Sequence, residues 1–193
     1  MTNDQSTTYS RDEIVSELTS FYEFLVGLHL PPSALKIPPP GGWPNLTPEY
    51  LAFLKKNDTV VDLIQHLPYV KQDDEFSPYQ IYETTCAVDY SGRYFQSAAT
   101  FAHPSPVIAD PIEEETTIPS HVMTLARTPG GRDGYFFFID TERGTITMCD
   151  FQDGRPSATK LSQVGKPTRL SFELQRNVSR EVMSKANAGL FRR

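Results

Sequence analysis

A proline-rich segment near the N-terminus constrains this fold more than any other feature of the sequence. Residues 31–48 contain seven of the chain's 16 prolines, three of them in a row at 38–40. Because proline fixes φ and lacks an amide donor, neither a helix nor a central strand is expected there. Flexible linkers are rich in polar residues, whereas this segment contains Ile37 and the sole tryptophan, Trp43. We therefore expect residues 31–46, called the strap below, to lie as a stiff segment on a domain, with the indole ring buried at least in part.

Three amphipathic segments before residue 70 predict helices. Ser10 and Glu13 match a capping box ahead of the first, in which apolar residues recur every three or four positions. The run Thr47-Pro48-Glu49 is typical of a helix start, with an N-cap, a proline at the first helical position and an acid in the first turn. Asp58 is expected to cap the third helix, which Pro68 ends.

The middle of the chain changes from helical to strand periodicity. Alternating residues of 82–90 predict one half-buried strand, with a partner strand at 93–100. Aromatic and β-branched runs at 121–127, 135–140 and 145–151 are separated by glycine-containing turns and predict a three-stranded antiparallel meander. Because three consecutive phenylalanines put rings on both faces of the middle run, that strand is expected to be central and covered on both sides.

The remaining segments complete a predicted α+β domain in which N-terminal helices and a C-terminal helix pack on an antiparallel sheet. Leucine or valine recurs every four residues at positions 170, 174, 178 and 182, which predicts a helix from about 168 to 186. The expected organisation is a disordered tail (1–9), a single α+β domain (10–187) that includes the strap and an exposed loop (103–120), and a second tail (188–193).

Charge and composition argue against several partners. The net charge of −6 disfavours a grip on nucleic-acid phosphates, for which only a few basic residues near the C-terminus are candidates: Arg176, Arg180, Lys185, Arg192 and Arg193. No apolar run approaches the roughly 18 residues of a membrane span, so no membrane partner is expected. The polar N-terminus does not resemble a secretory signal, and two cysteines cannot build a disulfide framework. We expect a cytoplasmic protein with reduced thiols.

Residue patterns typical of catalysis are missing from the sequence. The four histidines lie far apart, without the close ligand pair typical of zinc sites. The glycine-rich stretch 128–134 has neither phosphate-loop nor dinucleotide spacing and joins two predicted strands. Cys86 and Cys149 lie on predicted strands, where a cysteine is more often a small core residue than a nucleophile. We predict no catalytic residue, no cofactor and no metal.

Aromatic residues around the strap form the candidate partner surface, because aromatic side chains commonly anchor protein interfaces. The residues are Trp43, Tyr50, Tyr69 and Tyr79. A simpler interpretation is that they close the core. The leading hypothesis is a non-catalytic protein–protein interaction module. The alternative is a small enzyme or ligand-binding domain with a pocket between helices and sheet, lined by Asp62, His66 and Tyr69. His66 also has a structural explanation, since a cationic ring is favourable in the last turn of a helix.

Two parts of the chain resemble known families. Residues 40–47 read PGGWPNLT and residues 56–70 read KNDTVVDLIQHLPYV. This Gly-Trp-Pro … His-Leu-Pro-Tyr pattern is similar to uncharacterised proteins of filamentous fungi, and no catalytic residue is attached to it. The helix sequence PEYLAFL at 48–54 and the later strand with Asp140 and Gly144 resemble SUKH-type domains, although that family usually has Asn-Gly at the end of the helix. The SUKH resemblance implies an α+β fold and a role mostly in protein–protein binding, including immunity and cell-wall integrity.

Overall fold

The computed structural model describes residues 9–72, 78–92, 95, 118–129 and 133–150. The predicted partner strand apart from Phe95, most of the predicted loop, the predicted C-terminal helix and both predicted tails apart from Tyr9 lie outside these residues. The described helices are α1 (Arg11–Leu28), α2 (Pro48–Leu51) and α3 (Asp58–His66), with 3₁₀ turns at Pro32–Ala34 and Ala52–Leu54. The described strands are β1 (Leu35–Lys36), β2 (Tyr69–Val70), β3 (Gln80–Tyr82), β4 (Thr85–Ala87), β5 (Val122–Arg127), β6 (Tyr135–Asp140) and β7 (Thr145–Asp150).

The described strands form two antiparallel sheets, and the expected α+β class is confirmed. Strands β1 and β2 pair with each other, while β3 to β7 follow one another in a five-stranded sheet. The predicted meander corresponds to β5, β6 and β7, in which β6 pairs with a strand on each side. Phe136, Phe137 and Phe138 of β6 are all at least 94% buried, as expected for a strand covered on both faces.

The single strand predicted over residues 82–90 is wrong, because the chain turns between β3 and β4. Thr84 in this turn has a φ of 43°. The buried Thr85 hydroxyl donates to a carbonyl of the turn at 2.7 Å and accepts from the Tyr135 backbone N–H at 2.9 Å. A Cβ added at Gly134 would lie 2.2 Å from the Thr84 carbonyl oxygen, so only glycine fits there. Contacts with a distant part of the chain therefore hold a turn that local alternation does not reveal.

The predicted helix starts are confirmed, with one shift in the capping residue. The Ser10 hydroxyl accepts from the Glu13 N–H at 3.3 Å, and Thr47 caps α2 in the same way. Asn57 caps α3 in place of Asp58, because its side-chain oxygen accepts from the Val60 N–H at 2.9 Å. No described helix combines the length and apolar character that crossing a membrane requires.

The five-stranded sheet has apolar side chains on both faces. One face shares the main core with the helices and includes Phe137 and Ile139, and a register shift in β5 places Leu125 and Ala126 together in that core. We call the opposite face the second face. It carries a separate cluster in which Val122, Phe136 and Phe138 are buried and Ile118 and Cys149 are partly buried.

Candidate functional site

The strap is held against the C-terminal end of α3 by hydrogen bonds in both directions. The Trp43 backbone N–H donates to the Gln65 carbonyl at 2.8 Å, and the Trp43 indole N–H donates to the Leu67 carbonyl at 2.8 Å. The Gln65 side-chain amide donates back to the Leu46 carbonyl at 2.6 Å. The last carbonyls of a helix have no partner within the helix, so the two bonds from Trp43 satisfy groups that would otherwise be orphaned. The strap therefore acts as a C-terminal cap of α3.

Gly42 permits the close approach of the strap to α3. Its φ is +89°, and an added Cβ would lie 2.7 Å from the Gln65 carbonyl oxygen and 3.2 Å from His66 Nε2. A side chain at this position would meet both an unfavourable backbone conformation and a backbone atom that cannot move aside. The Gly-Trp-Pro and His-Leu-Pro-Tyr segments of the sequence thus contact each other directly.

A row of aromatic rings runs from the strap into the core. The ring centroids are 5.8 Å apart for Trp43 and Tyr69, 6.1 Å for Tyr69 and Tyr90, and 5.1 Å for Tyr90 and Phe95. The Tyr69 hydroxyl donates to the Ile64 carbonyl at 2.5 Å, close to the end of α3. Burial raises the pKa of the Tyr69 and Tyr90 hydroxyls, so both remain protonated donors at neutral pH.

The four aromatic residues predicted as a partner surface have different environments. Tyr69 is only 2% exposed and belongs to the core, while the Trp43 ring beside it is partly buried. Tyr50 packs against Phe95 with its ring centroid 6.1 Å away, and its buried hydroxyl has no hydrogen-bond partner among the described residues. Tyr79 is 36% exposed. The structure therefore brings Trp43 and Tyr69 together, but of the four only Tyr79 counts among the exposed large apolar side chains.

Lys36 and Asp89 hold the strap on its other side, a contact that sequence reasoning missed. The Lys36 ammonium lies 5.5 Å from the centre of the Trp43 indole, 3.1 Å from Asp89 Oδ2 and in contact with the Ser91 hydroxyl. The Asp89 side chain is 3% exposed and also accepts from the Ser91 backbone N–H at 3.1 Å. A buried carboxylate needs such partners. Residues so far apart in sequence give no pairing signal, so only the fold reveals this ion pair.

The predicted pocket residues Asp62 and His66 meet on the surface of α3. His66 Nδ1 lies 2.7 Å from the Asp62 carbonyl oxygen and 3.4 Å from the Asp62 carboxylate. Arg11 Nη1 lies 3.1 Å from both carboxylate oxygens and ties the start of α1 to α3. The Tyr69 hydroxyl instead bonds the Ile64 carbonyl within the core. The predicted trio therefore reduces to an Arg–Asp–His group that is partly exposed to solvent.

The chemistry available to this group is limited. Covalent catalysis needs an activated nucleophile next to the base. Burial raises the pKa of the Cys86 thiol to about 11, so it is protonated at neutral pH. Cys149 packs against the cluster on the second face. Within the described ranges, no three His, Cys, Asp or Glu side chains are arranged to hold a metal ion. The Arg–Asp–His group is best explained as a link between α1 and α3.

Large apolar side chains are exposed at the end of α1, after β1 and before β3. Leu28 is 43% exposed, Ile37 is 51% exposed and Tyr79 is 36% exposed, and we call these three residues the apolar patch. Met148 on β7 is 50% exposed. Single exposed apolar residues are ordinary, whereas a contiguous group of them is typical of an interaction site.

Hydrogen bonds connect the segments that carry the apolar patch. His29, next to Leu28, has its Nε2 3.2 Å from the Gln80 carbonyl oxygen, next to Tyr79. The Tyr79 carbonyl accepts from the Gln72 side chain at 3.2 Å, just after β2. Strand β2 pairs with β1, and β1 leads directly to Ile37, the third residue of the patch. Ile37 lies two residues beyond Leu35, which pairs with Val70, so it is about 7 Å along the chain from that end of the pairing.

Comparison with known proteins leaves the function to be inferred from these residues. The filamentous-fungal and SUKH-type resemblances remain predictions. No protein family, curated protein or solved structure matches the chain.

Proposed function

We propose that this protein is a non-catalytic, cytoplasmic protein-binding module whose partner docks on the apolar patch. The observation that carries the proposal is the exposure of Leu28, Ile37 and Tyr79 on three connected segments. Binding such a patch removes apolar surface from water, which is the main favourable term in most protein association. The net charge of −6 favours a protein partner over a nucleic acid.

The contacts that hold the strap in place favour binding as well. The strap that carries Ile37 is held by the hydrogen bonds of Trp43 and by the Lys36–Asp89 ion pair. A surface that is already fixed loses little conformational entropy when a partner binds. The fixed position of the strap around Ile37 is therefore an argument for recognition rather than for a chance exposure of apolar atoms.

Partner capture with matched baits tests this proposal. The patch variant carries Leu28→Ser, Ile37→Ser and Tyr79→Ser, and the control carries Met148→Ser, an equally exposed apolar residue on β7. Pulldown from the native lysate is quantified by mass spectrometry, with circular dichroism to verify that each bait is folded. We expect the wild type and the control to recover the same partner. The patch variant should recover at least about tenfold less of it, which corresponds to about 1.4 kcal/mol of binding free energy. Retention of every partner by a folded patch variant would contradict the proposal, as would a wild-type bait that recovers nothing above background.

The Arg–Asp–His group supports a second candidate, a ligand-binding or enzymatic domain. A carbonyl cannot donate a hydrogen bond, so the 2.7 Å contact with the Asp62 carbonyl requires a proton on His66 Nδ1. In the neutral ring, Nε2 is then a proton acceptor. A thermal-shift screen of small molecules against wild type and His66→Gln tests this candidate, because a bound ligand raises the melting temperature. A compound that raises the melting temperature of the wild type alone would favour this candidate. Failure to find such a compound would count against it.

A further inference from the structure

We infer that the partner of this protein binds through an aromatic-lined groove of the kind that recognises polyproline, and that residues 37–40 are the segment that the groove receives. We call these residues, Ile37-Pro38-Pro39-Pro40, the proline run. The inference rests on the proposed function, because Ile37 belongs both to the apolar patch and to the proline run. It adds the chemical class of the partner.

The sequence of the proline run holds its backbone in the polyproline II conformation. A residue that precedes a proline is restricted to extended or polyproline II values of ψ. Ile37, Pro38 and Pro39 each precede a proline, and in the two prolines the ring also fixes φ at about −65°. Both dihedrals of Pro38 and Pro39 therefore match polyproline II, and residues 37–39 belong to no helix or strand.

Contacts at both ends hold the proline run on the domain. Lys36, just before the run, lies on β1, which pairs with β2. At the other end the Gly42 N–H donates to the Pro39 carbonyl at 2.9 Å, which closes a turn with Pro40 and Gly41 at its centre. Proline followed by a residue with positive φ, here 90° at Gly41, is typical of a type II turn. The run is thus already fixed and loses little conformational entropy when a partner binds.

The proline run presents apolar surface and hydrogen-bond acceptors to solvent. Ile37 is 51% exposed, and Pro39 and Pro40 are also exposed, while Pro38 is partly buried. A polyproline II helix has three residues per turn, so Ile37 and Pro40 lie on the same edge of it. Among the described residues, no hydrogen bond reaches the carbonyls of Ile37 and Pro38. Such a surface matches a groove whose aromatic rings pack on prolines and whose side-chain N–H or O–H groups donate to these carbonyls.

Other roles for the proline run fit the observations less well. A purely structural role accounts for Pro40, which starts the turn, but not for the exposure of Ile37 on the same edge. Pairing with a strand of the partner is disfavoured because prolines cannot donate to a ladder of backbone hydrogen bonds. The strap has no two prolines three positions apart, so the groove must take consecutive prolines with an apolar residue ahead of them.

Binding to purified polyproline-binding domains tests the inference. Fluorescence anisotropy measures the affinity of the full-length protein for each member of a panel of SH3, WW and EVH1 domains. The run variant carries Pro38→Ala and Pro39→Ala and keeps Pro40 for the turn. The control carries Pro32→Ala and Pro44→Ala, which remove two exposed prolines of the strap outside the run. We expect at least one domain to bind the wild type and the control equally, and the run variant at least about tenfold more weakly. Circular dichroism verifies that each variant is folded.

Competition with a proline decapeptide makes the test independent of the variants. We expect the free peptide to displace the unmodified protein from a domain that binds it, because both occupy the same groove. The inference is wrong if no domain of the panel binds the wild type or if the folded run variant binds as tightly as the control. It is equally wrong if saturating peptide leaves the complex intact.

The lysate pulldown separates this inference from the proposed function. If the run variant and the patch variant both lose the partner, both proposals are supported. If the run variant keeps the partner and the patch variant loses it, the partner docks on the apolar patch without binding the prolines, and only the inference is refuted. If the patch variant keeps the partner, the proposed function is refuted as well.

Discussion

Gly42 is the residue at which the contact between the strap and α3 is tightest. Its φ is positive, and a Cβ added to it would lie 2.7 Å from the Gln65 carbonyl oxygen. There is therefore no room for a side chain. The neighbouring Gly41 has a similar φ of +90° but nothing within 4 Å of an added Cβ. The two glycines therefore separate the cost of the backbone conformation from the cost of the contact.

This difference predicts unequal effects of two alanine substitutions. Gly41→Ala should lower the free energy of unfolding by about 1–2 kcal/mol, the cost of a left-handed conformation with a Cβ. Gly42→Ala should lower it by about 3 kcal/mol or more, because the strap must also move away from α3. Urea unfolding of both variants and the wild type measures the difference. Equal losses for the two variants would show that the strap does not depend on this close approach.

At the scale of elements, the strap is held between α3 and the turn after β4. Trp43 bonds the end of α3, and Lys36 pairs with the buried Asp89. Removing one partner of a buried ion pair leaves a charge without compensation, whereas removing both partners restores a neutral site. The contribution of the ion pair to the free energy of unfolding is therefore measured by comparing single and double substitutions.

We predict that Lys36→Met lowers the free energy of unfolding by about 3 kcal/mol. The double variant Lys36→Met with Asp89→Asn should recover at least about 1 kcal/mol of that loss, because the uncompensated carboxylate is gone. Denaturant unfolding of the four members of the cycle provides the measurement. If Lys36→Met were as stable as the wild type, the buried Asp89 carboxylate would not require Lys36 as its partner.

Elements with local signals could be predicted from the sequence, and those that depend on distant contacts could not. Ser10 and Thr47 are caps that act within one turn, so the helix starts were predictable. The phenylalanine triplet of β6 is also a local signal, because three consecutive rings must point to both faces of a strand. The turn at Thr84 depends on Gly134, and Lys36 of the strap depends on Asp89, both at least 50 residues away. Of the candidate sites, the Asp62–His66 pair follows from helical spacing, whereas the burial of Tyr69 and the apolar patch required the fold.

At the scale of the whole molecule, several tyrosines lie deep in the main core. Burial raises the pKa of the Tyr22, Tyr69 and Tyr90 hydroxyls above the ordinary value of 10.0. The folded protein therefore keeps these protons at a pH at which the unfolded chain loses them. Their contribution to stability is fully present below pH 10 and is lost as the pH rises above it.

We predict that the protein loses stability steeply in alkali. Each fully buried tyrosine should lower the free energy of unfolding by up to about 1.4 kcal/mol per pH unit above about pH 10. Urea midpoints between about pH 8 and pH 11, with tyrosinate absorbance followed in parallel, measure the effect. Tyr69→Phe should reduce the slope, because it removes one of the buried hydroxyls. Stability that is constant across this range would contradict the assignment of these hydroxyls to the core.

The attachment of the strap through Trp43 has a practical consequence for spectroscopy. The chain has one tryptophan, and it lies at the joint between the strap and α3, beside Tyr69 and Lys36. Intrinsic fluorescence of this protein therefore reports on one joint and not on an average over many sites. A red shift in emission that precedes the loss of far-ultraviolet ellipticity would mark the strap as the first part of the molecule to detach.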